Sequence, residues 1–316
     1  MAKFDVSVVG ELNLDLILYG LPRQLEFDRE HLAQDLSMTL GSSSAIFTHN
    51  LALLGNKVGF SSSIGNDPLG EICLQRLGES GANVDGVRCF PGKKTGLTVI
   101  LPSGAERYIL TYPGTMFETR YEDLDLGYVL DARHFHLSSY YLHRALRPRI
   151  AELFHAAKKA GLTTSLDTND DPENLWADDL LPVLNHVDVL LPNEREASRI
   201  ARTEDAARAA DILTEKVPLL VIKRGKQGAI ARRGKERFVS APVEVEMVDP
   251  VGAGDSFDAG FIHQFIRGAG IEECLNYGNL AGALSTTRAG GTEAFRDVAY
   301  RERFLRKRWG ASPSSR

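Results

Sequence analysis

Gly252-Ala253-Gly254-Asp255 joins a stretch suited to holding negative charge to a carboxylate that negative charge should repel. The surrounding segment, "DPVGAGDSFDAG" (249–260), follows "EVEMV", which reads as a strand, and opens "DSFDAGFIHQFIRG", which reads as a helix. Gly252 and Gly254 lack Cβ atoms, so a ligand can approach the backbone closely. Free N–H groups at a helix N-terminus, aided by the helix dipole, favour an anion. Such a loop can cradle charge that develops during a reaction. Asp255 is then electrostatically awkward unless it works as a base, accepting the proton of an alcohol while the cradle holds the phosphoryl group under attack.

Other readings of the glycines are weaker. A dinucleotide fingerprint needs a glycine where Phe257 stands. A P-loop ending in "GKK" (92–94) fails at Val87 and at Lys94. A plain glycine turn, with Asp255 as a helix-start residue, fits the spacing equally well. His134 and His136 alternate along one strand without a third ligand at useful spacing, and read as ordinary strand histidines.

The elements that must position these residues are legible as alternating short apolar runs and helical patterns. "VSVVG" (6–10), "VGFSSSIG" (58–65), "HFHLSS" (134–139), "TTSLD" (163–167), "VDVLLP" (187–192) and "PLLVIKRG" (218–225) read as strands. "SAIFTHNLALLG" (44–55) and "PLGEICLQRLGESG" (68–81) read as helices between them. This rhythm predicts an α/β fold: a three-layer arrangement with a mostly parallel sheet and helices on both faces. Two regions, about 12–40 and 88–115, lack crossover helices and read as hairpins of a small β-sheet lid, with "PSGAER" as a hairpin tip. No linker or repeat divides residues 1–316, so the expectation is a single domain with an inserted lid.

The bulk numbers exclude several classes. Against 37 Lys and Arg stand 42 Asp and Glu, a net charge of −5, so no basic excess attracts nucleic acid. The basic run "RERFLRKRWG" reads as the solvated end of a last helix. Cys73, Cys89 and Cys274 are scattered, which argues against a disulfide framework or a zinc site and suits a reducing cytoplasm. No apolar run is long enough for a signal peptide or a membrane span.

"DPVGAGDSFDAG" resembles the C-terminal signature of the ribokinase-like, or PfkB-type, carbohydrate kinases. "GSSSAIFTHNLALLG", "SIGNDPLGEICLQRLGESGANVDGV", "LDTND", "VDVLLPNEREA", "VIKRGKQGAI" and "YGNLAGALSTTRAGG" follow in the family's order over nearly the whole chain. The resemblance implies ATP-dependent phosphorylation of a primary alcohol, with Asp255 as the base and Gly252, Ala253 and Gly254 as an anion hole. An aspartate ionised at neutral pH needs no special tuning for that task. Asn193 and Glu196 match the family's N-x-x-E motif, implied to organise Mg²⁺ and phosphates largely through water. Lys223, Gly225 and Gly228 fall on a turn implied to follow the nucleotide phosphates, with Lys223 as a point charge. Asn279 and Ala283 fall on the segment flanking adenine. Asp249, Val251 and Gly290 match positions near a monovalent-cation (K⁺) site of some members.

Asn13 and Asp15 share one face of a strand and suit sugar hydroxyls, with Gly41, Ser42 and Ser43 beside them and Arg107 on the lid hairpin. The chain departs from the family pattern on this side. Ser42 replaces a glycine, Ile46 replaces an asparagine, and "DTN" replaces "DPN" without the arginine that often follows. His49 and Asn50 lie one turn beyond Ile46. The implied substrate is a small sugar or sugar acid, of the fructose, 2-keto-3-deoxygluconate or ribose class. A nucleoside is the alternative acceptor, and a non-catalytic sugar-binding protein of the same fold is the alternative function. The lid's Leu, Ile and Val suggest pairing with a second copy.

Overall fold

The computed structural model describes residues 2–103 and 106–309. The larger sheet contains β1 (Phe4–Val9), β4 (Val58–Gly65), β5 (Asn83–Phe90), β8 (Ala132–Leu137), β9 (Thr163–Leu166), β10 (Val189–Leu190), β11 (Leu219–Lys223), β12 (Ala229–Arg233) and β13 (Glu236–Ser240). The smaller sheet contains β2 (Asn13–Tyr19), β3 (Asp35–Leu40), β6 (Gly96–Ser103) and β7 (Glu106–Tyr112). In chain order the helices of the first half are α1 (Ser43–Leu53), α2 (Pro68–Glu79), α3 (Leu126–Leu130) and α4 (Ile150–Lys159). Those of the second are α5 (Leu181–Leu184), α6 (Glu194–Ile200), α7 (Ala206–Thr214), α8 (Ala253–Phe265), α9 (Ile271–Ser285), α10 (Glu293–Arg296) and α11 (Val298–Trp309).

The large sheet runs β13-β12-β11-β10-β9-β8-β1-β4-β5, with neighbouring strands parallel except in the pairs β11–β12 and β12–β13. Strand alternation feeds two cores on opposite faces. From β11, Leu220 and Ile222 join the core built with α4, α5 and α7, while Leu219 and Val221 join the one built with α1, α8 and α9. Neighbours on β10 divide the same way, Leu190 to the first core and Val189 to the second. A strand buried on both faces therefore reads as a continuous apolar run.

The lid sheet has the order β3-β2-β6-β7. Its second contribution starts at Gly96 rather than near 88, because Cys89 and Phe90 still belong to β5 of the large sheet. Gly104 and Ala105 of the expected hairpin tip lie outside the described residues.

"EVEMV" forms no strand. Its apolar alternation is real, but the segment finds no sheet partner; the amides of Val248 and Asp249 bond instead to the Thr286 carbonyl at the end of α9. His134 and His136 are fully buried and share the hydroxyl of Ser165 at 2.7 Å, with burial holding both imidazoles well below their ordinary pKa.

Candidate active site

The parallel strands deliver their carboxyl ends to one edge, where α/β sheets bind ligands. Glu11 follows β1, Ser139 follows β8, Asp167 follows β9, Asn193 follows β10, and Lys223 ends β11. Helix α8 starts at this edge. Gly252 has φ 71°, and a Cβ there would sit 2.6 Å from the Gly291 Cα, so the turn requires glycine twice over. The loop is pinned from both sides. Asp249 accepts from the Val251 and Gly290 amides at 2.9 Å each, and Asn50 donates to the Ser256 hydroxyl and the Gly291 carbonyl. Ile46 packs against Gly252 and Gly291. The residue replacing the family's asparagine thus braces the loop by packing, and Asn50 supplies the polar tie.

The amides of Gly252, Gly254 and Asp255 donate to no protein acceptor among the described residues, and that of Ala253 makes only a long 3.3 Å bond to the Pro250 carbonyl. Orphan donors at a helix start are open to an incoming anion.

Asp255 lies beside these amides, only 9 % exposed. Burial pushes its carboxyl up to about 7, assisted by Asp167 and Glu11 and opposed by Lys223 and a hydrogen bond from Ser43. The ordinary aspartate expected from the sequence is not what the fold produces, because enclosure among other acids raises the carboxyl. The Lys223 ammonium is 2.7 Å from Asp167 Oδ2 and 3.0 Å from Asp258 Oδ2. Burial would depress it, but the two carboxylates outweigh that and hold it above its usual range. Glu196 is buried too, and enclosure, then Asp167, raises it to about 7. Asn193 and Glu196 form a reciprocal capping box on α6: the Glu196 amide donates to Asn193 Oδ1 at 2.9 Å, and the Asn193 amide to Glu196 Oε2 at 2.8 Å. The N-x-x-E pair therefore starts a helix and also joins the acidic cluster.

On the other side of Asp255 lies the lid strand β2. Asp15 is buried and rises to about 7, first through desolvation and then through Asp255 and Asp249, with Arg107 opposing. Arg107 itself is exposed on β7. Asn13 donates to the Thr98 hydroxyl at 3.0 Å, while its buried Oδ1 has no partner among the described residues. An unmet buried acceptor costs about 1–3 kcal/mol, which a ligand hydroxyl would recover. Ser42 caps α1 at φ 70°; its hydroxyl donates to the Glu11 carbonyl at 2.5 Å and accepts from the Ala45 amide at 3.3 Å. Glu11, missed in the sequence reading, is 2 % exposed and accepts from the Ser44 and Ser139 hydroxyls at 2.7 Å each. Its only sequence signal is an acid directly after the first strand. Asp258 was missed too, although D-x-x-D on one helix face was there to read.

Gly225 and Gly228 both have positive φ, and a Cβ on Gly228 would fall 2.1 Å from the Ser240 carbonyl. Asn279 donates to the Ser240 hydroxyl at 2.8 Å and the Ala241 carbonyl at 3.0 Å, and Ala283, like Val243 and Val245, packs against the apolar cluster of Tyr277, Leu280 and Leu284. Two clefts lie apart from the acidic cluster: about 220 Å³ beside Tyr141 and Arg144, and about 480 Å³ between Val245, Tyr300 and Arg303. Neither cleft contains the orphan amides or a raised carboxyl.

The pfkB family carbohydrate kinase model matches residues 3–297. The chain is 29% identical over 291 residues to an ATP-dependent ribose-1-phosphate kinase of Halopiger xanaduensis, covering 92% of this chain and 94% of that protein. It is 30% identical to a cytidine kinase of Thermococcus kodakarensis, covering 87% and 93%. Among solved structures, a ribokinase II from E. coli in complex with ATP and Mg²⁺ superposes with a TM-score of 0.84 at 26% identity, covering 97% of this chain and all of that one. The chain belongs to the pfkB family of carbohydrate kinases.

Proposed function

We propose that the protein transfers the γ-phosphoryl group of ATP to a hydroxymethyl group of a small sugar, with Asp255 as base and the Gly252–Gly254 amides as anion hole. One observation carries this reading: a buried carboxyl whose pKa lies near neutrality stands directly beside backbone amides that lack protein acceptors. In the step, Asp255 accepts the proton of the acceptor hydroxyl as its oxygen bonds to the γ-phosphorus. The bond from that phosphorus to the bridging oxygen breaks, and ADP leaves. The amides hold charge on the transferring group, and α8 fixes base and amides in one rigid turn.

Mg²⁺, when bound, offsets charge on the phosphates. The donor set fits it: Glu196 and Asn193 offer oxygen atoms at the end of β10, and Mg²⁺ keeps most of its waters. Asp249, Val251 and Gly290 converge and would hold a monovalent cation such as K⁺, since the Asp249 carboxylate retains lone pairs after accepting from two amides.

Asn13, Asp15, Gly41, Ser42, Ser43 and Glu11 would bind the sugar, with Arg107 at the lid. The carboxylates Glu11, Asp15 and Asp255 crowd this side and favour an uncharged acceptor, a neutral sugar or a nucleoside, over a phosphorylated one. The outer lid face, with Leu16, Leu18, Met38, Val99, Leu101 and Leu110, is incompletely covered, and a second copy of the chain is its proposed occupant.

Measuring ADP release over matched acceptors tests the reading: fructose and its 6-phosphate, ribose and its 1-phosphate, 2-keto-3-deoxygluconate, cytidine. Turnover of one of them supports it. Saturable binding without ADP release identifies a binding protein instead.

A further inference from the structure

The sequence places Lys223 on the turn expected to follow the nucleotide phosphates, yet its ammonium is committed elsewhere. It bridges Asp167, after β9, and Asp258, on α8, and its side chain is only 11 % exposed. A Cβ on Gly254 would lie 3.7 Å from Nζ, so the ammonium sits against the loop that carries the orphan amides. Asp258 is one turn beyond Asp255 on the same helix. Three elements, β11, the end of β9 and the first turns of α8, therefore meet at one nitrogen.

Resting on the reading of Asp255 as base, we infer that Lys223 is a positioning residue: clamped between Asp167 and Asp258, it fixes the start of α8 and supplies the buried positive charge behind Asp255. The surroundings give the reason. Asp255 faces Glu11 from the segment after β1, Asp15 from β2, Asp167 from the end of β9, and Lys223 from β11. Glu196 on α6 faces Asp167 and Lys223, Asp249 faces Asp15, and Asp258 shares α8. Arg107 on β7 acts on Asp15 from the exposed side of the lid, and among the groups that act on Asp255 itself Lys223 is the one cation in the described residues. Burial holds the Asp258 carboxyl well above its ordinary pKa, so Asp167 is the anion that the ammonium offsets. Without Lys223, Asp167 would act on Asp255 uncompensated, and like charges favour the protonated, non-basic form. A compact ammonium suits this place, where a planar guanidinium would need a wider gap between the carboxylates.

Two single substitutions give opposite predictions. Lys223→Met removes the cation; Asp167→Asn removes, with nearly the same shape, the anion that acts most strongly on Asp255. The Asp255 midpoint is read from ¹³C-carboxyl NMR of the ligand-free enzyme, its signal assigned by loss in Asp255→Asn. The midpoint rises by about one pH unit in Lys223→Met and falls in Asp167→Asn. The acid limb of kcat/KM moves with it. Should Lys223→Met fail to fold, Lys223→Gln removes the charge and keeps hydrogen-bond donors toward the two carboxyl groups, and the same rise in the Asp255 midpoint is expected of it. A purely structural lysine would lower the melting temperature and leave the midpoints in place. Unmoved midpoints, or midpoints moving in the same direction in both single variants, overturn the inference. Opposite shifts in an enzyme that phosphorylates no acceptor would fault the kinase reading alone.

Discussion

Gly41 lies so close beneath Asp15 that a Cβ on it would fall 2.0 Å from Asp15 Oδ1. The backbone is bare there because a carboxylate of the lid occupies the space. Gly41→Ala must therefore push Asp15 off its position while leaving Asp255 in place. The expected result is a rise in KM for the sugar of about tenfold or more with a smaller change in kcat, measured by coupled ADP assay. An unchanged KM would remove Asp15 from the acceptor site.

Ser42 holds a backbone conformation that favours glycine, φ 70°, and pays it back through two hydrogen bonds. Ser42→Gly relieves the strain and loses the cap, so stability should stay within about 1 kcal/mol of wild type. Ser42→Val keeps the strain and loses the bonds, and should lower stability by about 2 kcal/mol or more in urea titration.

Asp255 is raised to about 7 in the fold, mainly by burial. Its contribution to stability is therefore greatest below the ordinary aspartate pKa, about 4, and is lost as pH climbs through 7. Asp255→Asn removes a charge that the fold disfavours. The variant should melt a few degrees above wild type at pH 8, and the gain should shrink toward pH 5. In the active enzyme the same titration requires turnover to fall as pH drops below about 7.

On the lid, Leu110 is 56 % exposed and shares the outer face with Leu16, Leu18 and Val99. Sedimentation velocity at micromolar concentration should show a dimer for the wild type and a monomer for Leu110→Lys. A wild-type monomer contradicts the pairing.

The doubly covered sheet was legible because strands buried on both faces, such as β11, read as unbroken apolar runs, and because helices such as α1 and α2 separate them. "EVEMV" misled because alternation reports a half-buried extended chain and says nothing of whether a neighbouring strand is available. At the site, Asp255 and the glycines were legible from their adjacency in sequence. Glu11 was not, since its meeting with Ser139 depends on β1 and β8 lying side by side across 128 residues of chain. The commitment of Lys223 to Asp167 and Asp258 was equally hidden, because three separate elements create it. Nor could sequence reveal the raised carboxyls of Asp15 and Asp255, since enclosure sets them and only the folded chain encloses.

The most direct measurement is the turnover of Asp255→Asn with the acceptor that wild type phosphorylates fastest, alongside calorimetric binding of that acceptor. Loss of about 10²–10⁴ in kcat, with acceptor binding retained, is the predicted result. Turnover within a few-fold of wild type in a folded, sugar-binding variant would contradict the assignment of Asp255 as the base.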